Sequence, residues 1–204
     1  SIPRPYFAAA GGTVAEMRIV AGSAGGRQLK TFEHDDVRPT KDRVREAVFN
    51  SLGSYGEIDD RRFVDLFAGS GALGLEALSR GAAHCLFVER DRRAAAVVAE
   101  NIDQLGFADR AALRTADAAA VVESMAPVDV ALLDPPYEFD GWDELLGAVP
   151  APIVVIESDR VVDPGPAWRI LKQKQYAGTV VVIAERVDGG AVIQPSAAEE
   201  VDNR

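Results

Sequence analysis

Three observations predict an α/β fold: a seven-stranded, mostly parallel sheet with an antiparallel last strand, preceded by a small N-terminal β-hairpin. From Arg62 to Ile156 short apolar runs alternate with helix-length segments, the pattern of a parallel sheet covered on both faces. The final runs, Trp168 to Gln175 and Thr179 to Ala184, are separated only by a turn at Ala177-Gly178, which permits antiparallel pairing alone. Ahead of the sheet, two strand-like runs flank Gly22-Ser23-Ala24-Gly25-Gly26, a glycine-rich hairpin tip.

Residues 1–16 combine Pro, Ala and Gly without periodicity and read as an added tag or a disordered leader. The span 17–53 holds the hairpin and a helix capped by Thr40, with Val44, Val48 and Leu52 on one face and an end near Gly53. The main domain spans 54–187. Its first strand covers Phe63 to Phe67, followed by a helix from Ala72 to Arg80 that Gly81 stops, and a second strand from His84 to Val88. A helix from Asp91 to Leu105 ends at Gly106, a C-terminal cap. Strands at Ala111 to Thr115 and Val128 to Leu133 enclose a helix around Ala118 to Met125. A helix near Trp142 to Val149 then leads into Ile153 to Ile156, the fifth strand. From Asp188 onward the chain is acidic and poor in aromatics, the composition of a disordered tail.

Composition narrows the function classes. The 204 residues, 48% of them hydrophobic, suffice for one core. With 22 Lys+Arg against 32 Asp+Glu, the net charge of -10 argues against coating the whole surface with nucleic acid while leaving a local basic patch open. One cysteine excludes an internal disulfide, and two histidines leave no metal-ligand cluster, so no metal is expected. No apolar run approaches the roughly 18 residues of a membrane span, and a cytoplasmic protein is the expectation.

Two motifs fall at C-terminal strand ends, where open α/β sheets bind ligands. Asp65-Leu66-Phe67-Ala68-Gly69-Ser70-Gly71-Ala72-Leu73-Gly74 contains G-x-G-x-x-G between a strand and a helix. Dinucleotide enzymes share this spacing. Asp65 separates the cases, because an acid before the loop would repel a pyrophosphate but attract the sulfonium and ammonium of S-adenosylmethionine. Glu89 closes the second strand and can accept two ribose hydroxyls, in either cofactor. Asp117 after the third strand suits an adenine amino group and an ordinary helix N-cap equally.

The second motif is Asp134-Pro135-Pro136-Tyr137 after the fourth strand. Two prolines supply no N–H, the carboxylate and the Pro135 carbonyl accept, and the Tyr ring offers a flat apolar face, so the natural guest is a planar ring bearing an amino group. The alternative is a strand-end turn. Together the motifs resemble class I S-adenosylmethionine-dependent methyltransferases acting on amino nitrogens, in which the tetrapeptide holds the acceptor amine.

Between Arg18 and Arg45, seven basic residues (Arg18, Arg27, Lys30, Arg38, Lys41, Arg43, Arg45) face four acids (Glu33, Asp35, Asp36, Asp42), a local +3. That patch suits phosphate, or else makes ordinary surface ion pairs. MRIVAGSAGGRQLKT, RPTKDRVREAVFNSL, DLFAGSGALGLEALSRGA, FVERD and DPPY together resemble the RsmD-like bacterial 16S ribosomal RNA guanine-N2 methyltransferases, from Met17 to about Arg186. The resemblance implies methylation of one guanine amine within the small subunit or an assembly intermediate, by a monomer. It assigns Asp65, Phe67, Ala68, Gly69, Ser70, Gly71, Glu89, Arg90, Asp117, Ala118 and Thr40 to the cofactor. Asp134, Pro135, Pro136 and Tyr137 go to catalysis, and Arg27, Arg38, Lys41, Arg43 and Arg45 to RNA. The competing readings are transfer to DNA adenine or protein glutamine, an NAD-dependent oxidoreductase, and a non-catalytic RNA-binding assembly factor.

Overall fold

The computed structural model describes residues 17–31 and 39–187; the expected leader, the expected tail and Arg38 lie outside them. The chain runs α1 (Pro39–Ser54), β1 (Arg62–Asp65), α2 (Ala72–Ser79), β2 (His84–Val88), α3 (Arg92–Leu105), β3 (Ala111–Arg114), α4 (Ala118–Val122), β4 (Val130–Leu133), α5 (Trp142–Ala148), β5 (Ile153–Ser158), β6 (Trp168–Tyr176) and β7 (Thr179–Arg186). The seven strands form one sheet in the order β3-β2-β1-β4-β5-β7-β6. β1 to β5 are parallel, while β7 runs antiparallel to both β5 and β6.

Strict alternation divides the sheet's faces. Phe63, Val130 and Leu132 join one core cluster with Phe49, Leu52, Leu75, Leu78, Val98 and Ile102 of α1, α2 and α3. Val64, Ala131 and Leu133 join the other, under Val121 and Val122 of α4 and Leu145 and Leu146 of α5. Because helices cover both faces, β4 and β5 are buried along their whole length. β6 forms the outer edge, where Arg169, Lys172, Gln173, Lys174 and Gln175 discourage further strand addition.

Helix ends follow their caps. The Asp91 side chain accepts from the Arg93 and Ala94 N–H groups at the start of α3, and Gly106 ends it at φ 76°. Thr40 lies inside the first turn of α1 and not ahead of it, so it is not the expected cap; Pro39 takes the first helical position, where a missing N–H costs nothing. β1 is shorter than expected, since beyond Asp65 the chain turns into the glycine loop. β5 is longer, carrying Glu157 and Ser158 past the apolar run.

The expected N-terminal hairpin forms around one antiparallel bridge, Arg18 to Gln28. Its remaining polar groups turn toward the helices. Glu76 in α2, 0% exposed, accepts the Val20 and Ala21 N–H groups at 2.7 and 3.0 Å. Ser79 Oγ accepts from Ala24 N–H at 2.9 Å. Gly22 has φ 82°, and a Cβ there would stand 2.0 Å from the Ser79 carbonyl oxygen, so only glycine permits this approach.

Candidate active site

A cavity of about 860 Å³ opens along the C-terminal edge of the parallel strands. Loops following β1, β2, β3 and β4 line it, with Met17 and Lys41 from the N-terminal part and Glu157 from β5. It spans the β1/β4 junction, from which the chain order proceeds in opposite directions along the sheet.

The glycine loop forms its floor. Gly69 and Gly71 hold φ 55° and 85°, and Gly71 is the N-cap of α2. Gly74 lets the helix close on β2, since a Cβ there would meet the Phe87 ring at 2.3 Å and Cys85 Sγ at 2.7 Å. Asn101, buried in α3, donates to the Ser70 and Lys30 carbonyls at 2.9 Å each, tying the loop to the N-terminal segment.

Asp65 is 1% exposed, and its Oδ2 accepts the Gly74 N–H at 3.0 Å. Its Oδ1 is buried without a hydrogen-bond partner. Burial, and after it the charges of Asp134 and Glu89, push this carboxyl up from its ordinary 3.8 to about 7, despite N–H donors from Gly74 and Phe67. A cation or hydrogen-bond donor beside Oδ1 would offset that burial cost. Glu89 is half-buried and already oriented, with Oε2 accepting from Gly69 N–H at 2.9 Å and Oε1 from Asp91 N–H at 2.8 Å, which leaves one lone pair on each oxygen for a hydroxyl. An S-adenosylmethionine molecule fits this donor and acceptor set.

Phe67, Ala68, Gly69, Arg90, Asp117 and Ala118 also line the cavity. Asp117 caps α4, accepting the Ala119 N–H at 2.9 Å, so the N-cap reading holds for it. Ser70 lines the cavity too, but its hydroxyl is buried against Met17 Sδ at 3.2 Å. Thr40 has its backbone in α1, and its side chain lies outside what is described.

At the other end stand Asp134, Pro135, Pro136 and Tyr137, the last 49% exposed. Lys41 Nζ lies 3.7 Å from Asp134 Oδ2, and both residues line the cavity. The loop is braced from both sides. Phe139 packs edge-on against Phe67 and Trp142, at 5.3 and 5.1 Å between ring centroids. Arg160 donates to the Tyr137 and Phe139 carbonyls at 2.9 and 2.8 Å.

One expected RNA contact, Arg45, is turned inward. Arg45 is 4% exposed and donates to the Arg18 carbonyl and Asp42, each at 2.7 Å, with Glu76 3.6 Å away. Its guanidinium is an internal tie. Arg27 is exposed and donates to the Leu105 and Gln104 carbonyls at the C-terminus of α3. Arg43 is exposed, and Arg38 lies outside the described residues.

Sequence reasoning passed over Glu157, Arg160 and Glu76. Glu157 carried a usable signal, since an acid directly after an apolar strand is the same pattern that singled out Glu89 and Asp134. The other two had none, because their partners are distant backbone groups.

The model of the family described as conserved hypothetical protein 95 matches residues 17–185. The YlbH protein of Bacillus subtilis is 39% identical over 158 residues, 72% of this chain and 85% of that protein. The ribosomal RNA small subunit methyltransferase D of Escherichia coli K12 is 37% identical over 183 residues, 81% of this chain and 87% of that enzyme. The solved structure of the Escherichia coli yhhF protein superposes with a TM-score of 0.74 at 31% identity, covering 84% of this chain and 98% of that one. This chain therefore belongs to the conserved hypothetical protein 95 family, the family of the small-subunit ribosomal RNA methyltransferases D.

Proposed function

We propose that this protein transfers a methyl group from S-adenosylmethionine to the exocyclic N2 amine of one guanine in the 16S RNA of the small ribosomal subunit. The observation that carries the reading is the placement of Asp134-Pro135-Pro136-Tyr137 and the Asp65 loop in one cavity, on neighbouring strands. Its relatives named ribosomal RNA small subunit methyltransferase D, at 32% and 37% identity, support the choice of RNA.

Asp65 would hold the cofactor's ammonium, Glu89 its ribose hydroxyls, the Gly69 to Gly71 backbone its amino-acid end, and Asp117, Ala118 and Arg90 the rim around its base. When bound, S-adenosylmethionine supplies an electrophilic methyl group on a sulfonium. The protein's task is to prepare the acceptor. An exocyclic base amine has its lone pair delocalised into the ring and is a poor nucleophile. Asp134 and the Pro135 carbonyl accept its two N–H groups, favouring a pyramidal nitrogen whose lone pair is aimed inward, while the Tyr137 ring stacks on the base. Asp134 orients the neutral amine, and the proton leaves after transfer. Exposed Arg43 supplies phosphate contact at the mouth. With a chain this acidic, the substrate is an assembled or partly assembled particle met in the cytoplasm by a monomer, where a local patch suffices.

Incubating unmethylated small subunits with labelled cofactor and mapping the product tests the proposal. A single labelled guanine is expected. Asp134→Ala should abolish labelling while S-adenosylhomocysteine still binds by calorimetry. Label confined to DNA adenine or protein glutamine, or NAD binding in place of S-adenosylhomocysteine, would overturn it.

A further inference from the structure

Among the cavity carboxyls to which the mechanism above gives no work, Glu157 is the buried one. It ends the apolar run of β5 and is 7% exposed. Leu133 of β4 pairs in parallel register with Ile156 of β5, so the next residue on each strand brings Asp134 and Glu157 side by side at the cavity wall. Burying a carboxyl there costs free energy that an apolar residue would not. The neighbours are unequal in charge: Asp134 lies beside it just past β4, Lys41 and Arg45 approach from α1, and β7 places Val181 opposite. Burial and then Asp134 raise Glu157 from its ordinary 4.5 to about 8, the two cations offsetting only part of this.

The two carboxyl groups thus differ in hydrogen-bonding character. Asp134, beside Lys41, is suited to accept. A neutral carboxyl next to it both donates and accepts. In a guanine, the amine that Asp134 would hold is flanked by a ring nitrogen, N3, which carries a lone pair and needs a donor. We propose that Glu157 is the second recognition group of the acceptor site, donating a hydrogen bond from its protonated carboxyl to the ring nitrogen beside the target amine. The inference rests on the function proposed above and goes beyond it, because it selects an acceptor ring with a lone pair next to the amine.

The test compares the unsubstituted protein, Glu157→Gln and Glu157→Ala across pH 6.5 to 9, following label transfer to unmethylated small subunits and S-adenosylhomocysteine binding. Gln keeps a donor and cannot ionise. The unsubstituted protein should lose about tenfold in kcat/KM for the particle one unit above the Glu157 transition, as the donor is lost. Glu157→Gln should match it at pH 7 and show no alkaline fall. Glu157→Ala should lose about tenfold or more at every pH, with S-adenosylhomocysteine affinity unchanged in all three. An alkaline fall that persists in Glu157→Gln, or a Gln variant as impaired at pH 7 as Ala, would overturn the proposal. If the unsubstituted protein labels no small-subunit RNA at any pH, the functional reading fails and this inference falls with it. If it labels that RNA but the Gln variant behaves in one of the overturning ways, only the inference fails.

Discussion

Asp65 shows what a buried carboxyl costs the fold. It is buried, half-satisfied and raised to about 7, so the folded state binds its proton more tightly than the unfolded chain does. The stability this group contributes is fully present below its ordinary 3.8 and is lost as pH rises through about 7. Asp65→Asn keeps an acceptor for the Gly74 N–H and cannot ionise. Thermal melts should therefore show the variant more stable at pH 8, by about 1 kcal/mol or more and hence roughly 2–4 °C in Tm, with no gain at pH 4. Its affinity for S-adenosylhomocysteine should fall about tenfold or more, the trade expected where function is held in a strained group. A variant with unchanged melting at pH 8 would remove the case for a buried charge.

Between elements, Glu76 is the fastening that joins the N-terminal segment to α2. Its carboxylate receives two backbone N–H groups and Arg80 Nε at 2.7 Å, with Arg45 at 3.6 Å. Removing it leaves the Val20 and Ala21 N–H groups without their acceptor and takes the buried counter-charge from Arg80 and Arg45. Glu76→Ala should cost about 3–5 kcal/mol in denaturant unfolding. A loss under about 1 kcal/mol would mean the segment is held by Met17, Ile19 and Leu29 packing alone. This arrangement also explains why Arg45 is drawn inward. On sequence its helix read as a basic face, yet i,i+3 spacing to Asp42 and the approach of α2 turned that arginine inward.

Across the whole molecule, a charge of -10 makes RNA use depend on where the few outward cations stand. Arg43 is one of them, exposed on α1, the helix that also carries Lys41 into the cavity. Reversing it, Arg43→Glu, should raise KM for the particle about threefold to tenfold at low salt and less at high salt, leaving S-adenosylhomocysteine binding unchanged. An unchanged KM would return Arg43 to an ordinary solvated helix face.

The order of elements, the sheet with its antiparallel close, the glycine loop and the Asp134 tetrapeptide were legible from sequence because each is a local pattern. Alternation marks a strand, a cap marks a helix end, and an acid after an apolar run marks a strand's C-terminal edge. What stayed hidden depended on partners far along the chain. Glu157 becomes Asp134's neighbour only through the β4/β5 register, Arg160 reaches the Tyr137 loop across more than twenty residues, and Arg27 meets the end of α3 only once the N-terminal segment has docked. Whether a cation lies inward or outward is likewise settled by packing: a charged side chain reads the same in sequence either way, and only burial and the carboxylates around it decide what it can still bind.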